Sequence, residues 1–233
     1  MFRRSLVGVD IGSRAIKVIE VEARAPDRIQ VRGLGIAETP SGALERGMVR
    51  DPRRLAEGVR EAMRQGNIRQ RRASLSVSSH LGFMRRLSFP RMPLAELRAN
   101  IELQAERYIP FAHDGAVFDL FPLPASDGQP EMTVVLAAAP RSTVRGLMDA
   151  ARMAGLVPQR VDLEPLSLFR AALAVGRLPS EGTVAFVDLG ATAATISVFE
   201  RGVPVVSRVV DMPDLDREAR TQGTEEIFWD VRR

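Results

Sequence analysis

Apolar and polar positions alternate with period two through "SLVGVDIG", "AIKVIEVEA" and "RIQVRGLGIAE", which only "SR" and "RAPD" separate. Half-buried strands have this alternation, so the opening predicts a three-strand meander. The period lengthens in "DPRRLAEGVREAMRQGN", where Leu55, Val59 and Met63 recur at helical spacing behind Asp51 as N-cap and Pro52 at the first helical position. "RRASLSVSSH" predicts a fourth strand, and "FMRRLSFPRMPLAELRANIELQAERYIPF" a strand, a break at two prolines, and a helix with Leu94, Leu97, Ile101 and Ala105 on one face. "GAVFDLFPL" and "EMTVVLAAAP" read as strands joined by the loop "PASDGQP". "RSTVRGLMDAARMAGL" reads as a helix stopped by Gly155, "PQRVDLEP" as a short strand, "LSLFRAALAVG" as a helix ending at Gly176, and "RLPSEG" as a boundary loop.

One long-period repeat follows. "GTVAFVDLGATAATISVFERG" repeats the design of the opening: a strand ending in Asp, a two-residue step to Gly, a small or hydroxylated turn and a second strand. Asp10-Ile11-Gly12-Ser13 matches Asp188-Leu189-Gly190-Ala191-Thr192. One D-x-G is weak, because Asp and Gly favour turns for ordinary backbone reasons. Two copies, each opening an α/β unit, point to a shared chemistry. Such turns can bring backbone N–H groups and hydroxyls to a phosphate. An Asp at each strand end can hold waters around Mg²⁺, which takes one or two carboxylates and keeps much of its hydration.

Composition narrows the field. With 233 residues and 45% hydrophobic content the chain can bury one or two ordinary domains. No apolar run is long enough for a transmembrane segment, and Asp10 interrupts the first one too early for a secretory signal. Zero cysteines exclude disulfides and thiolate metal sites and suit a cytoplasmic chain. The net charge of +4 is a modest surplus, densest in "RQGNIRQRR", Arg64 to Arg72. That run lies where a helix should end and lacks aromatics for base stacking, so it reads as a solvated face and no nucleic-acid partner is expected. His80 and His113 lack second ligands at metal-site spacing, and Ser78, Ser79 and His80 do not form a nucleophile elbow.

Among Lys+Arg 33 there is a single lysine, Lys17. A compact ammonium differs from a forked guanidinium only against a crowded anion. Four residues beyond Ser13 on the returning strand, Lys17 would point back over the turn, and a tight phosphate site is the expected surrounding; a mutational bias toward arginine that missed one codon is the plainer alternative.

The pairing of "VDIGSRAIK" and "VDLGATAATISV" resembles the two phosphate hairpins of the actin, Hsp70 and sugar-kinase superfamily. With "GMVRDPRRLAEGVREAM", "FPRMPLAELRANIELQAERYIPF" and "AGLVPQRVDLEPLSLFRAAL", the chain is most similar to the PilM family, the actin-like proteins of type IV pilus assembly related to the division protein FtsA. The resemblance implies an α/β, actin-like (ribonuclease-H-like) ATPase fold. Residues 1–81 and 141–177 would form subdomain 1A, 82–140 the inserted 1C piece, and 178–233 the start of 2A with a divergent tail.

The resemblance also implies roles. ATP would be bound by Asp10, Gly12, Ser13, Lys17, Gly190, Ala191 and Thr192, with Mg²⁺ at Asp10 and Asp188. Glu164, in "VDLEP", with Asp188 would be the catalytic carboxylates near the attacking water. An N-terminal peptide of a PilN-like inner-membrane protein would lie between 1A and 1C, along a strand edge at Ser76, Val77 and Ser78 and against Tyr108, Ile109 and Phe111. These last three could equally close the 1C core. The pilus alignment complex and pilus motor ATPases are the wider implied partners, and the chain would sit in the cytoplasm, peripheral to the inner membrane through its partner. Turnover would be slow or absent.

A sugar or acetate kinase of the superfamily, or a nucleotide-independent scaffold, are the rival readings. The family's Gly-rich adenosine segment has no counterpart after "SRVV", so the phosphate half of a site is expected without its base half. The end reads as a truncation, a frameshift or a natural short form. "EEIFWDVRR" is too acidic and short for a membrane-touching helix to be the better reading.

Overall fold

The computed structural model describes residues 4–25, 28–124, 129–176, 178 and 182–212. The expectations for "EEIFWDVRR", and most of those for "PASDGQP" and "RLPSEG", lie outside these residues. The first sheet begins with the expected meander, β1 (Arg4–Ile11), β2 (Ala15–Ala25) and β3 (Arg28–Glu38), all antiparallel. A short hairpin, β4 (Leu44–Glu45) and β5 (Met48–Val49), then leads into α1 (Pro52–Gln65) and β6 (Arg72–Val77). The hairpin has no hydrophobic period of its own, which is why alternation did not find it. Its turn is made by Arg46 and Gly47, both at positive φ (46° and 81°), as a two-residue hairpin requires.

Next comes a three-stranded unit: β7 (Phe83–Pro90), α2 (Leu94–Leu103), α3 (Ala105–Tyr108), β8 (Ala116–Pro122) and β9 (Glu131–Pro140), in spatial order β7-β9-β8. The chain returns through α4 (Arg141–Met153), β10 (Val157–Leu163) and α5 (Glu164–Ala174). This completes a five-stranded sheet in the order β10-β6-β1-β2-β3, with β6 parallel to both β1 and β10. A last antiparallel sheet holds β11 (Thr183–Leu189), β12 (Ala193–Glu200) and β13 (Val203–Asp211).

Strand alternation sets the faces. Val7, Val9 and Ile11 of β1, Ile16 and Val18 of β2, and Ala73, Leu75 and Val77 of β6 are buried in one cluster with Leu55, Val59 and Met63 of α1 and Leu147 of α4. Because side chains alternate, Asp10, Lys17 and Ser76 take the opposite face. α1 starts as predicted, with the Asp51 carboxylate accepting from the N–H groups of Arg53 and Arg54 at 2.9 and 3.1 Å.

The helix after the two prolines departs from expectation. It stops at Leu103 and restarts after Gln104, whose φ of −120° is not helical. Leu97 and Ile101 are fully buried, but Leu94 is exposed. The break lets the chain turn so that Ile109, with Tyr108 and Phe111 beside it, closes the second core over Leu120, Val134 and Leu136. No helix of the described residues is long and apolar enough to cross a membrane.

Candidate functional site

Both D-x-G turns close in the same way. The Gly12 N–H donates to the Ala15 carbonyl at 3.0 Å, and the Gly190 N–H to the Ala193 carbonyl at 2.9 Å. A Cβ on Gly12 would meet the Ala15 oxygen at 3.1 Å and one on Gly190 the Ala193 oxygen at 2.8 Å, so each glycine is there to let its turn close. This corrects part of the expectation: the two glycine N–H groups are used inside the turns. The donors brought face to face are hydroxyls, with Ser13 Oγ and Thr192 Oγ1 3.0 Å apart.

Around that contact lies a cleft of about 300 Å³. Its walls include Asp10, Gly12, Ser13, Lys17, Glu164, Asp188, Gly190, Ala191 and Thr192, so the residues expected to bind nucleotide and metal converge from separate elements. Strand register explains two of them. Asp10 lies directly opposite Lys17 across β1 and β2, and Lys17 Nζ donates to Asp10 Oδ2 at 2.8 Å. In the second hairpin Thr195 holds the place of Lys17, opposite Asp188. The tight surrounding expected for Lys17 is not found, since its side chain is 55% exposed. The lysine serves as counter-ion at an open cleft: the Asp10 bond raises its pKa, partial desolvation opposes this, and Asp10, Asp188 and Glu164 add to the rise.

Glu164, expected at the end of the short strand "PQRVDLEP", is the first residue of α5 directly after β10. Its Oε2 accepts from the Ser79 N–H at 2.8 Å and the Ser79 hydroxyl at 3.0 Å. Burial pushes its carboxyl above the usual range and the Asp10 and Asp188 charges push the same way, while the Ser79 bonds pull it down. A raised folded value means that the native state keeps a proton the unfolded chain has lost. Stability from this group therefore falls as pH rises from the ordinary value of 4.5 through the folded one. Glu164→Gln keeps an acceptor for Ser79 and removes the charge. It is expected to raise Tm at neutral pH and flatten this part of the profile, read by thermal melts from about pH 4 to pH 8; an unchanged neutral Tm would refute the assignment.

The donor set suits a magnesium-bound polyphosphate better than a bare one. Asp10, Glu164 and Asp188 give the cleft carboxylates that repel a free polyanion, while Lys17, Ser13 and Thr192 offer a cation and hydroxyls. No group of three or more His, Asp or Glu side chains among the described residues is placed to hold a metal ion, so the metal's remaining ligands would be water and phosphate.

The residues expected to bind a peptide do not come together. β6 is paired with β10 along Arg72–Val77 and with β1 over Ala73–Leu75, so it is interior as far as Leu75, and Ser76 and Val77 keep a ladder partner on the β10 side. Ser76 Oγ donates to Asp10 at 3.4 Å, Ser78 lines the cleft around Ser13 and Thr192, and Ile109 is buried with Tyr108 and Phe111 packed against its core. Val77 alone borders a second cavity, an apolar groove of about 750 Å³. Val117 and Phe121 of β8, Val135 of β9, Val161 of β10 and Leu166 of α5 line it, and among the described residues β8 and β10 are each paired on one side only. Alternation could not reveal this groove, because its lining is gathered from strands of three sheets and from α5. Sequence reasoning also missed Arg46 and Thr195 in the cleft and the hold of Ser79 on Glu164; His80, also in the cleft, was weighed as a metal ligand and as part of a nucleophile elbow, and in neither case as a cleft residue.

Residues 8–211 match the model of a family described as Type IV pilus assembly protein PilM. The structure of a PilM-PilN type IV pilus biogenesis complex is similar at 30% identity and a TM-score of 0.77, covering 90% of this chain and 62% of that one. This chain thus spans less than two thirds of the matched protein. At the level of fold, the cytoplasmic domain of EpsL, an inner-membrane component of the type II secretion system of Vibrio cholerae, aligns at 16% identity and TM-score 0.58 over 89% of this chain and 71% of its own. The ethanolamine utilization protein EutJ from Carboxydothermus hydrogenoformans aligns at 17% and 0.50, over 97% and 59%.

Proposed function

We propose, from the premise that this chain belongs to the PilM family of type IV pilus assembly proteins and has an actin-like fold, that it is an adaptor with two ligands. The groove takes an extended N-terminal segment of a PilN-like inner-membrane protein, and the cleft takes Mg-ATP. In this reading residues 1–81 and 141–177 form 1A, 82–140 form 1C, and 2A begins at 178. The chain acts in the cytoplasm, held at the inner membrane and its pilus alignment complex through that partner.

The observation that carries the reading is the apolar groove between two one-sided strands, β8 and β10. An extended peptide gains main-chain hydrogen bonds from a strand edge and specificity from the apolar side chains beneath. Phe121 is 65% exposed in the groove wall, so changing it costs the fold little. A labelled peptide matching the partner's N-terminal segment is expected to bind the chain, with Phe121→Asp weakening it about tenfold or more by burying an unpaired charge. Equal anisotropy titrations for both proteins would remove the groove from the reading.

At the cleft, Asp10 and Asp188 would hold metal-bound waters, and Lys17, Ser13 and Thr192 would bind phosphate oxygens. Mg-ATP, when bound, supplies a phosphoanhydride and the charge that separates two states of the adaptor. Glu164, held by Ser79, would orient water weakly, because its burial favours the neutral form. Slow turnover is consistent with a switch between states.

A further inference from the structure

Arg46 and Asp211 form an ion pair that joins the β4–β5 hairpin to the last sheet. Arg46 stands at the tip of the β4–β5 hairpin, and the turn is seated against the segment after β6: a Cβ on Gly47 would lie 3.0 Å from Ser78 Cβ and 3.3 Å from Leu81 Cδ1. From there Arg46 Nη2 donates to Asp211 Oδ2 at 2.5 Å, and His80 Nδ1 lies 3.6 Å from Asp211 Oδ1. Asp211 is fastened to the second phosphate hairpin. It lies opposite Ala193 in the β12–β13 ladder, and the next N–H, that of Met212, donates to the Thr192 carbonyl at 2.8 Å. Both basic groups on this carboxylate therefore come from the other side of the cleft. Arg46, Gly47 and His80 line the same cavity as Ser13, Lys17 and Thr192.

We propose that Arg46 is a phosphate-binding residue of the cleft and that Asp211 is the counter-ion a phosphate displaces from it. A polyphosphate entering beside Ser13 and Thr192 takes the guanidinium from Asp211 and so frees β13 from the β4–β5 hairpin. The inference rests on the nucleotide reading above and adds to it a residue and the contact that nucleotide breaks. The exchange is favourable on chemical grounds. A phosphate carries more charge than a carboxylate and accepts the guanidinium fork in a bidentate manner. The pair it replaces is weakly held, with side chains 70% and 58% exposed and screened by solvent.

Calorimetric titration of the chain with Mg-ATP tests this, using wild type, Arg46→Met, Asp211→Asn, the double variant and Arg50→Met. Arg50, at the base of the same hairpin, is bound to Glu45 at 2.7 Å and lies outside the cleft lining, so it is the control. Arg46→Met is expected to weaken binding roughly tenfold or more, as losing a charge-assisted hydrogen bond does. Asp211→Asn is expected to tighten it about three- to fivefold by removing the competing anion, with the double variant matching Arg46→Met and Arg50→Met matching wild type. Amide exchange in β13 should be faster in Arg46→Met without nucleotide and should rise to the same level in wild type on adding Mg-ATP. Wild-type affinity in both single variants, with wild type binding Mg-ATP in a Lys17-dependent way, overturns this inference and leaves the nucleotide reading standing. No binding by wild type at millimolar Mg-ATP overturns both.

Discussion

Lys17→Met is expected to lower affinity for Mg-ATP about a hundredfold, because the cleft loses the cation that makes it tolerable to phosphate. Asp10 bonds this ammonium directly, and Asp188 and Glu164 act on it from farther off. With methionine there, these carboxylates face an incoming polyanion without the ammonium that lies against them, and the metal and Arg46 are left to offset the repulsion. Lys17→Arg keeps the charge but replaces a compact ammonium with a planar fork, and should bind with intermediate affinity. Because the Lys17 side chain is more than half exposed, both variants should melt within about 1 kcal/mol of wild type. Calorimetry at two salt concentrations reads the effect, and the loss should shrink as salt rises. An affinity for Lys17→Met within threefold of wild type would mean that the twin hairpins are architecture only.

Gly35→Ala should be the most damaging small substitution in the first sheet, at about 3 kcal/mol or more. A methyl on Gly35 would lie 1.8 Å from the Ala62 carbonyl oxygen and 2.8 Å from Gly66 N, both backbone atoms of α1 and its cap. Gly33 has the same neighbour, with a Cβ 2.3 Å from the Gly66 oxygen. Backbone cannot rotate aside as a side chain can, so the helix must lift away from β3. Its buried row of Leu55, Val59 and Met63 would be carried off the core with it. Gly58 also sits on the Ile16 side chain, next to Lys17 in β2, so lifting the helix disturbs the strand that carries a cleft residue. Denaturant unfolding reads the loss, and one below about 1 kcal/mol would show that the helix can slide to absorb the methyl.

Much of the path to the cleft was legible along the chain. Asp51 and Pro52 marked the start of α1 because capping is local, completed by N–H groups two and three residues on. The twin turns were legible because each closes between residues three apart, Gly12 to Ala15 and Gly190 to Ala193. The break at Gln104 was less accessible, because it answers to a core assembled from β7, β8 and β9, where Ile109 finds its place.

The residues on their own dictated most of the longer strands and helices, the apolar face of the first sheet's strands and of α1, and that two hairpins share one design. Propensity, capping and periodicity act over a few neighbours, and a linear text records them. Tertiary structure alone decided what those elements enclose. It set Ser13 against Thr192 although 179 residues separate them, and brought Asp211 to Arg46 across 165. It also placed β6 between β1 and β10 and left β8 and β10 at the ends of their sheets among the described residues. Sheet order and the meeting of two sheets depend on the summed packing of many distant side chains, and no local period carries that information.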